Sequence, residues 1–166
     1  MAESEPWVVN ASPLILLARI GQLAWLEQLT EILWVPERVI REIAEGSSFD
    51  PSATTALEWA ARFRLPDIAI PQQMQGWDID PGETQVIAHG LRLNCYTVMD
   101  DAAARRCAKA LGLSVIGTIG VVLRAKEMGL VTEAKPWLMK LREAGMYANA
   151  SLIQSALVVV GESDEL

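Results

Sequence analysis

The chain is 166 residues long, with 51% hydrophobic and 21% charged residues and a formal net charge of −7. That length suits one domain whose core can dispense with disulfides and structural metals, and the composition excludes a disordered or low-complexity chain. The acidic balance argues against a protein that grips nucleic acid by blanketing phosphates with lysine and arginine.

The charge is uneven: residues 1–85 carry 5 basic and 13 acidic side chains, whereas residues 86–166 carry 9 and 8. A polyanion contact should therefore favour the second half, where Arg105, Arg106, Lys109, Arg124 and Lys126 lie. Taken singly, each of these reads better as part of a solvated helix face. The acidic start, residues 1–5, lacks the basic and apolar regions of a signal peptide, and no apolar run approaches the roughly 18 residues of a membrane span. Cys95 and Cys107 make neither a disulfide framework nor a Cys-x-x-Cys site, so both read as core thiols in a reducing, cytoplasmic compartment.

Along the chain, short β-rich runs alternate with helical patterns. Residues 7–9 open as a strand, followed by a helix over 13–28. A second strand at 32–35 and a helix at 37–45 lead into the clearest loop, 46–52, and a helix over 53–63. A weaker strand candidate, Ile68-Ala69-Ile70, precedes a helix at 82–93. Strand 96–99, helix 102–111, strand 114–116 and helix 119–128 continue the alternation, and helices at 135–144 and 149–160 end it. This order predicts one α/β domain over 1–166, with a parallel sheet of about five strands and helices on both faces. Residues 1–6 are expected to be flexible and 149–166 to form a C-terminal helix and tail.

Helix starts fix where the loops leave the strands. Ser12-Pro13 reads as an N-cap followed by proline at the first helical position, and Asp80-Pro81-Gly82-Glu83 as a capping box led by aspartate. Ligands of open α/β sheets bind beyond the carboxyl ends of the strands. That rule points to Asn10, after the first strand, and to Asp100-Asp101, after 96–99.

Two glutamates are weighed by turning about 100° per residue. Val39, Ile40 and Ile43 set the inward face of their helix, with Glu42 on its flank and Glu45 pointing out. On 82–93 the inward face is drawn by Val86, Ile87, Gly90 and Leu91. Glu83 lies near its centre, while His89, the one histidine, falls off it and reads as a surface residue. A carboxylate on an inward face is costly unless paired or bound to a cation.

Plainer accounts exist for each residue. Glu83 closes the capping box, Asp100 caps the next helix, Asp101 pairs with Arg105, and Asn10 closes an Asx-turn. Together, however, they leave several oxygen donors at strand ends and first turns without basic partners for all. Two carboxylates about 4 Å apart repel by roughly 4 kcal/mol at an effective dielectric near 20. A hard cation such as Mg2+ or Mn2+ is the natural relief, since it takes oxygen ligands and needs neither histidine nor cysteine. Paired aspartates at a strand end also occur in phosphoacceptor domains, a weaker reading because the pair here follows a late strand.

Five runs in order carry a resemblance: Val8-Val9-Asn10-Ala11-Ser12-Pro13-Leu14-Ile15, Val35-Pro36-Glu37-Arg38-Val39-Ile40-Arg41-Glu42-Ile43, Pro81-Gly82-Glu83-Thr84, Met99-Asp100-Asp101-Ala102-Ala103-Ala104-Arg105, and Gly117-Thr118-Ile119-Gly120. Over residues 7–146 the chain resembles the PIN domain, and more narrowly a prokaryotic branch related to the VapC toxins. The resemblance implies a three-layer α/β/α fold and a metal-dependent ribonuclease. By motif, the family's acids fall on Asn10, Glu42, Glu83 and Asp100, with Asp101 alongside. Glu42, Glu83 and Asp100 would hold Mg2+ or Mn2+, and Ser12, Arg105 and Thr118 would meet RNA. Asn10 departs from the pattern, because its amide oxygen can face a metal but brings no charge. The family comparison further implies a toxin–antitoxin setting with a small antitoxin as partner and a homodimer; the lack of a long apolar run separately argues for no membrane. The alternative is a catalytically weakened module that binds RNA or protein.

Overall fold

Residues 5–162 are described by the computed structural model; residues 1–4 and 163–166, the ends of the two predicted tails, lie outside them. Strand β1 (Trp7–Val9) is buried along its whole length, as expected of a central parallel strand covered on both faces. It leads into α1 (Ala11–Arg19) and α2 (Ala24–Leu29), then β2 (Leu33–Pro36), α3 (Glu37–Gly46) and α4 (Pro51–Ala60). A short 3-10 turn (Ala61–Phe63) delivers the chain to β3 (Arg64–Leu65). After a long connection come α5 (Pro81–Leu93), β4 (Tyr96–Val98), α6 (Ala102–Ala110), β5 (Val115–Ile116), α7 (Thr118–Glu127), α8 (Lys135–Glu143) and α9 (Ala150–Val159).

The five strands form one parallel sheet in the order β3-β2-β1-β4-β5, flanked by nine α-helices among the described residues. This is the three-layer α/β/α arrangement. Successive strands run to one side of β1 and then, with β4, to the other, so the crevice between β1 and β4 is the topological switch point. Register makes this concrete: Val9 pairs with Val98, and the Asn10 amide donates to the Val98 carbonyl at 3.0 Å. Asn10 and Asp100 therefore leave the sheet side by side.

Three elements differ from the sequence reading. The third strand is Arg64–Leu65, not 68–70: its pairing with Val35 and Pro36 places it at the sheet edge, where tertiary contact outweighs the β propensity of Ile68 and Ile70. The predicted 13–28 helix breaks in two where Gly21 turns through the left-handed region at φ +71°. The 53–63 helix starts earlier, at Pro51, because Asp50 caps it by accepting the Ser52 amide, and it tightens into the 3-10 turn at Ala61.

At the amino end, the Glu5 carbonyl accepts the Thr30 hydroxyl at 2.8 Å and the Pro6 carbonyl accepts the Tyr96 amide at 2.8 Å. At the other end, the Glu162 carboxylate receives Lys126 Nζ and the Ala134 amide, both at 2.7 Å, fastening the end of α9 to the start of α8. No described helix is long and apolar enough to cross a membrane. Cys95 and Cys107 are free and buried, as read from the sequence.

Candidate active site

The β4–α6 junction divides labour between its two aspartates. Asp101 caps α6, its Oδ2 accepting the Ala104 amide at 2.9 Å. Asp100, which the plainer sequence account made the cap, reaches across to the next crossover. Its Oδ1 accepts the Thr118 amide at 2.7 Å, and its Oδ2 accepts the Thr118 hydroxyl at 2.6 Å and the Ser12 hydroxyl at 3.3 Å. One carboxylate thus ties together the loops after β1, β4 and β5, with the positive end of α7 beneath it.

Arg105 does not pair with Asp101. Its Nη1 donates to the Met99 carbonyl at 3.1 Å. A methyl group on Gly117 would come within 2.6 Å of that Nη1 and 3.3 Å of Asp100 Oδ1, so glycine leaves the space where guanidinium and carboxylate converge. None of the ion pairs among the described residues includes Arg105 or Arg124.

Asn10 is buried, and its Oδ1 has no hydrogen-bond partner among the described residues. Such an orphan costs on the order of 1–3 kcal/mol. Glu83 is only 7% exposed, as its helical position predicted. The Asp80 half of the capping box is formed, with Asp80 Oδ1 accepting the Glu83 amide at 2.8 Å. Burial, followed by the negative charges of Asp80 and Asp101, pushes the Glu83 carboxyl up to about 7.

Glu42 stands apart from this group. Its Oε1 accepts the Gly82 amide at 3.0 Å and Arg38 Nε at 3.5 Å, so it holds the first turn of α5 from behind. A methyl group on Gly82 would collide with the Glu42 carboxylate. Burial and then Asp80 raise the Glu42 carboxyl, while Arg38 and the Gly82 amide pull it back.

Asn10, Ser12, Glu83, Asp100, Asp101 and Arg105 all line one cavity of about 980 Å³; Glu42 does not. Thr118 is fully buried beneath Asp100. Among the described residues, no three His, Cys, Asp or Glu side chains form a ready-made metal cluster. The donors nevertheless suit a hard cation: an orphaned amide oxygen, the Glu83 carboxyl raised by burial and by nearby acids, and the Asp100 and Asp101 carboxylates share one cavity whose lining has no histidine or cysteine.

The cavity also takes in residues the sequence reading passed over. Arg19 was legible in principle, because Ser12, Ile15, Leu16 and Arg19 all line it and repeat at helical spacing along α1. Tyr147 lines it from the α8–α9 linker, and no pattern in the sequence marks it. His89, read as a surface residue, is 2% exposed. Helix α5 packs against α3, α6, β1, β2 and β4, so it has no outward face at that position.

A doubly wound α/β domain with acids gathered at the β1/β4 switch point is the class that fold and site define. The family profile described as PIN domain matches residues 6–162, and the chain belongs to that family. A comparison with curated protein sequences finds no match.

Proposed function

We propose that this protein is a metal-dependent ribonuclease that hydrolyses RNA phosphodiester bonds in the cleft of Asn10, Glu83, Asp100 and Asp101. One observation carries the reading: the Glu83 carboxyl, raised by burial and then by its acidic neighbours, shares a cavity with the orphaned Asn10 oxygen at the switch point of the sheet. PIN domains suggest RNA as substrate and generally use divalent metal ions. Here Asn10, Glu83 and Asp100 would hold Mg2+ or Mn2+, with Asp101 beside them. Bound there, either ion would supply an acidified water and neutralise charge building on the phosphoryl oxygens.

The chain's own groups set the stage. Thr118 and Ser12 fix the Asp100 rotamer. Asp80 and Glu42 hold the first turn of α5 so that Glu83 faces the cavity; Glu42 acts here through backbone and not as a ligand. Arg105, anchored on the Met99 carbonyl, offers a guanidinium without a carboxylate partner to the phosphate. Attack of water on phosphorus with departure of the 3′ oxygen would leave a 5′-phosphate and a 3′-hydroxyl. Cleavage of labelled RNA with and without Mg2+ or Mn2+ tests the reading; cutting that survives chelator, or that Asp100→Asn leaves intact, refutes it.

A second reading, a weakened module that binds RNA or protein, is favoured by the missing charge at Asn10 and by the engagement of Glu42 with Gly82 and Arg38. Asn10→Asp separates the two: gain of metal-dependent cutting over an inert wild type supports the weakened module, and an already active wild type excludes it. The ribonuclease reading extends to the toxin of a toxin–antitoxin pair, with a small antitoxin and a homodimer as partners. Growth arrest on expression and the mass in solution are the respective checks.

A further inference from the structure

One wall of the cavity is built from the α8–α9 linker, where Gly145, Met146 and Tyr147 line it, with Leu152 from α9. The linker has little of its own to hold it. Helix α8 ends on Gly145 at φ +109°, and the Met146 amide donates back to the Leu141 carbonyl at 2.9 Å. Among the described residues, neither Tyr147 nor Ala148 takes part in a backbone hydrogen bond. Such a segment opens locally unless a group outside it pins it down.

That group is Arg19, in the last turn of α1. Its Nη1 donates at 2.8 Å to the Ala144 carbonyl, at the negative end of α8, and its Nη2 pairs with Asp50 Oδ2 at 2.6 Å. Asp50 is itself fixed, because its Oδ1 accepts the Ser52 amide at 2.9 Å and caps α4. One guanidinium thus joins α1, α4 and the end of α8. The fit is close: a methyl group on Gly145 would lie 3.2 Å from Arg19 Nη1, so glycine serves both the left-handed turn and the approach of the arginine. The other end of α1 reaches the acids, where the Ser12 hydroxyl donates to Asp100 Oδ2 at 3.3 Å. Ser12 and Arg19 both line the cavity from one face of α1, which at 1.5 Å per residue sets them about 10 Å apart.

We propose that Arg19 is a positioning residue: through Asp50 and the Ala144 carbonyl it holds the α8–α9 linker at a set distance from Asp100 and so fixes the width of the cavity. The inference rests on the ribonuclease reading only for what the cavity receives; the brace belongs to the chain itself. Two nitrogens serving two acceptors also account for arginine at this position, since lysine has a single nitrogen to offer.

Amide exchange on the full chain, without metal or RNA, tests the brace. In Arg19→Ala the Gly145 and Met146 amides should exchange about tenfold faster, the low end for loss of a hydrogen bond from a partly exposed charged group, while the capped Glu83 and Ala104 amides stay within about twofold. Arg19→Lys, which keeps a positive charge near Asp50, should exchange like Arg19→Ala. With saturating Mg2+, both variants should raise KM for RNA about tenfold and leave kcat within about twofold, because the wall acts on binding and not on the acids. A brace that served stability alone would leave KM unmoved at a temperature where the variants stay folded. Unchanged exchange at Met146, an unmoved KM, or full rescue by Arg19→Lys overturns the inference. A wild type that cuts no RNA overturns the ribonuclease reading alone, and exchange then decides the brace.

Discussion

Helix α5 carries two buried titratable side chains that face opposite fates. Glu83, in its first turn, opens on the cavity among Asp80 and Asp101; His89, further along, is sealed in the core with both ring nitrogens lacking hydrogen-bond partners among the described residues. Burial is the first cause of both shifts, upward for the carboxyl and downward for the imidazole, and each shift favours the neutral form. For His89 the Pro66 carbonyl and Asp67 oppose the shift, although the carbonyl does not meet full hydrogen-bond geometry. Burial of an ionisable group is therefore a poor marker of chemistry by itself; access to a cavity and the company of like charges distinguish Glu83 from His89.

The strongest way to break the comparison is through activity. Glu83→Gln should lower metal-dependent RNA cleavage by ~100-fold or more, while His89→Leu should leave it within about twofold. Comparable losses in both variants would show that α5 matters as a structural unit and would remove Glu83 from the site.

Stability against pH sharpens the contrast, because the two residues act in opposite senses. A carboxyl raised from 4.5 to about 7 in the folded state contributes stability that is fully present below 4.5 and is lost as pH rises through about 7. In metal-free buffer Glu83 should thus cost on the order of 1–2 kcal/mol across that window, discounted for the open cavity. Denaturant titrations should show this slope flattened in Glu83→Gln. Saturating Mg2+ should raise the wild-type melting temperature near pH 7 but not that of Glu83→Gln; equal shifts would count against the ion site.

For His89 the sign reverses. Its folded pKa lies below 6.5, so its contribution is present above pH 6.5 and fades as pH falls towards the folded value. His89→Leu should flatten stability on the acid side alone. This is the smallest of the expected effects, and an unchanged acid limb would show that the buried ring finds a proton acceptor when charged.

Legibility from sequence follows the range of the interactions. Strands β1, β2, β4 and β5, the Asp80 cap and the inward Glu83 depend on local pattern, and the structure has them where the sequence reading put them. The edge strand Arg64–Leu65 exists only because β2 pairs with it, so propensity pointed instead to Ile68 and Ile70. His89 escaped because a helical wheel assumes one inward face, and α5 is buried nearly all round. The site divides in the same way. Asn10, Asp100 and Asp101 were visible as strand-end residues, but Asp100 on Thr118 and Glu42 on Gly82 are contacts between loops distant in sequence, and with Asp100 drawn to Thr118 the local cap falls to Asp101.

The crowding of Gly82 against Glu42 carries an evolutionary consequence. Position 82 has no room for even the smallest side chain while the acid at 42 stays engaged, so the two sites should drift as a couple. Descendants that lose the glutamate gain freedom to acquire alanine or serine at 82, and descendants that keep it should remain glycine there.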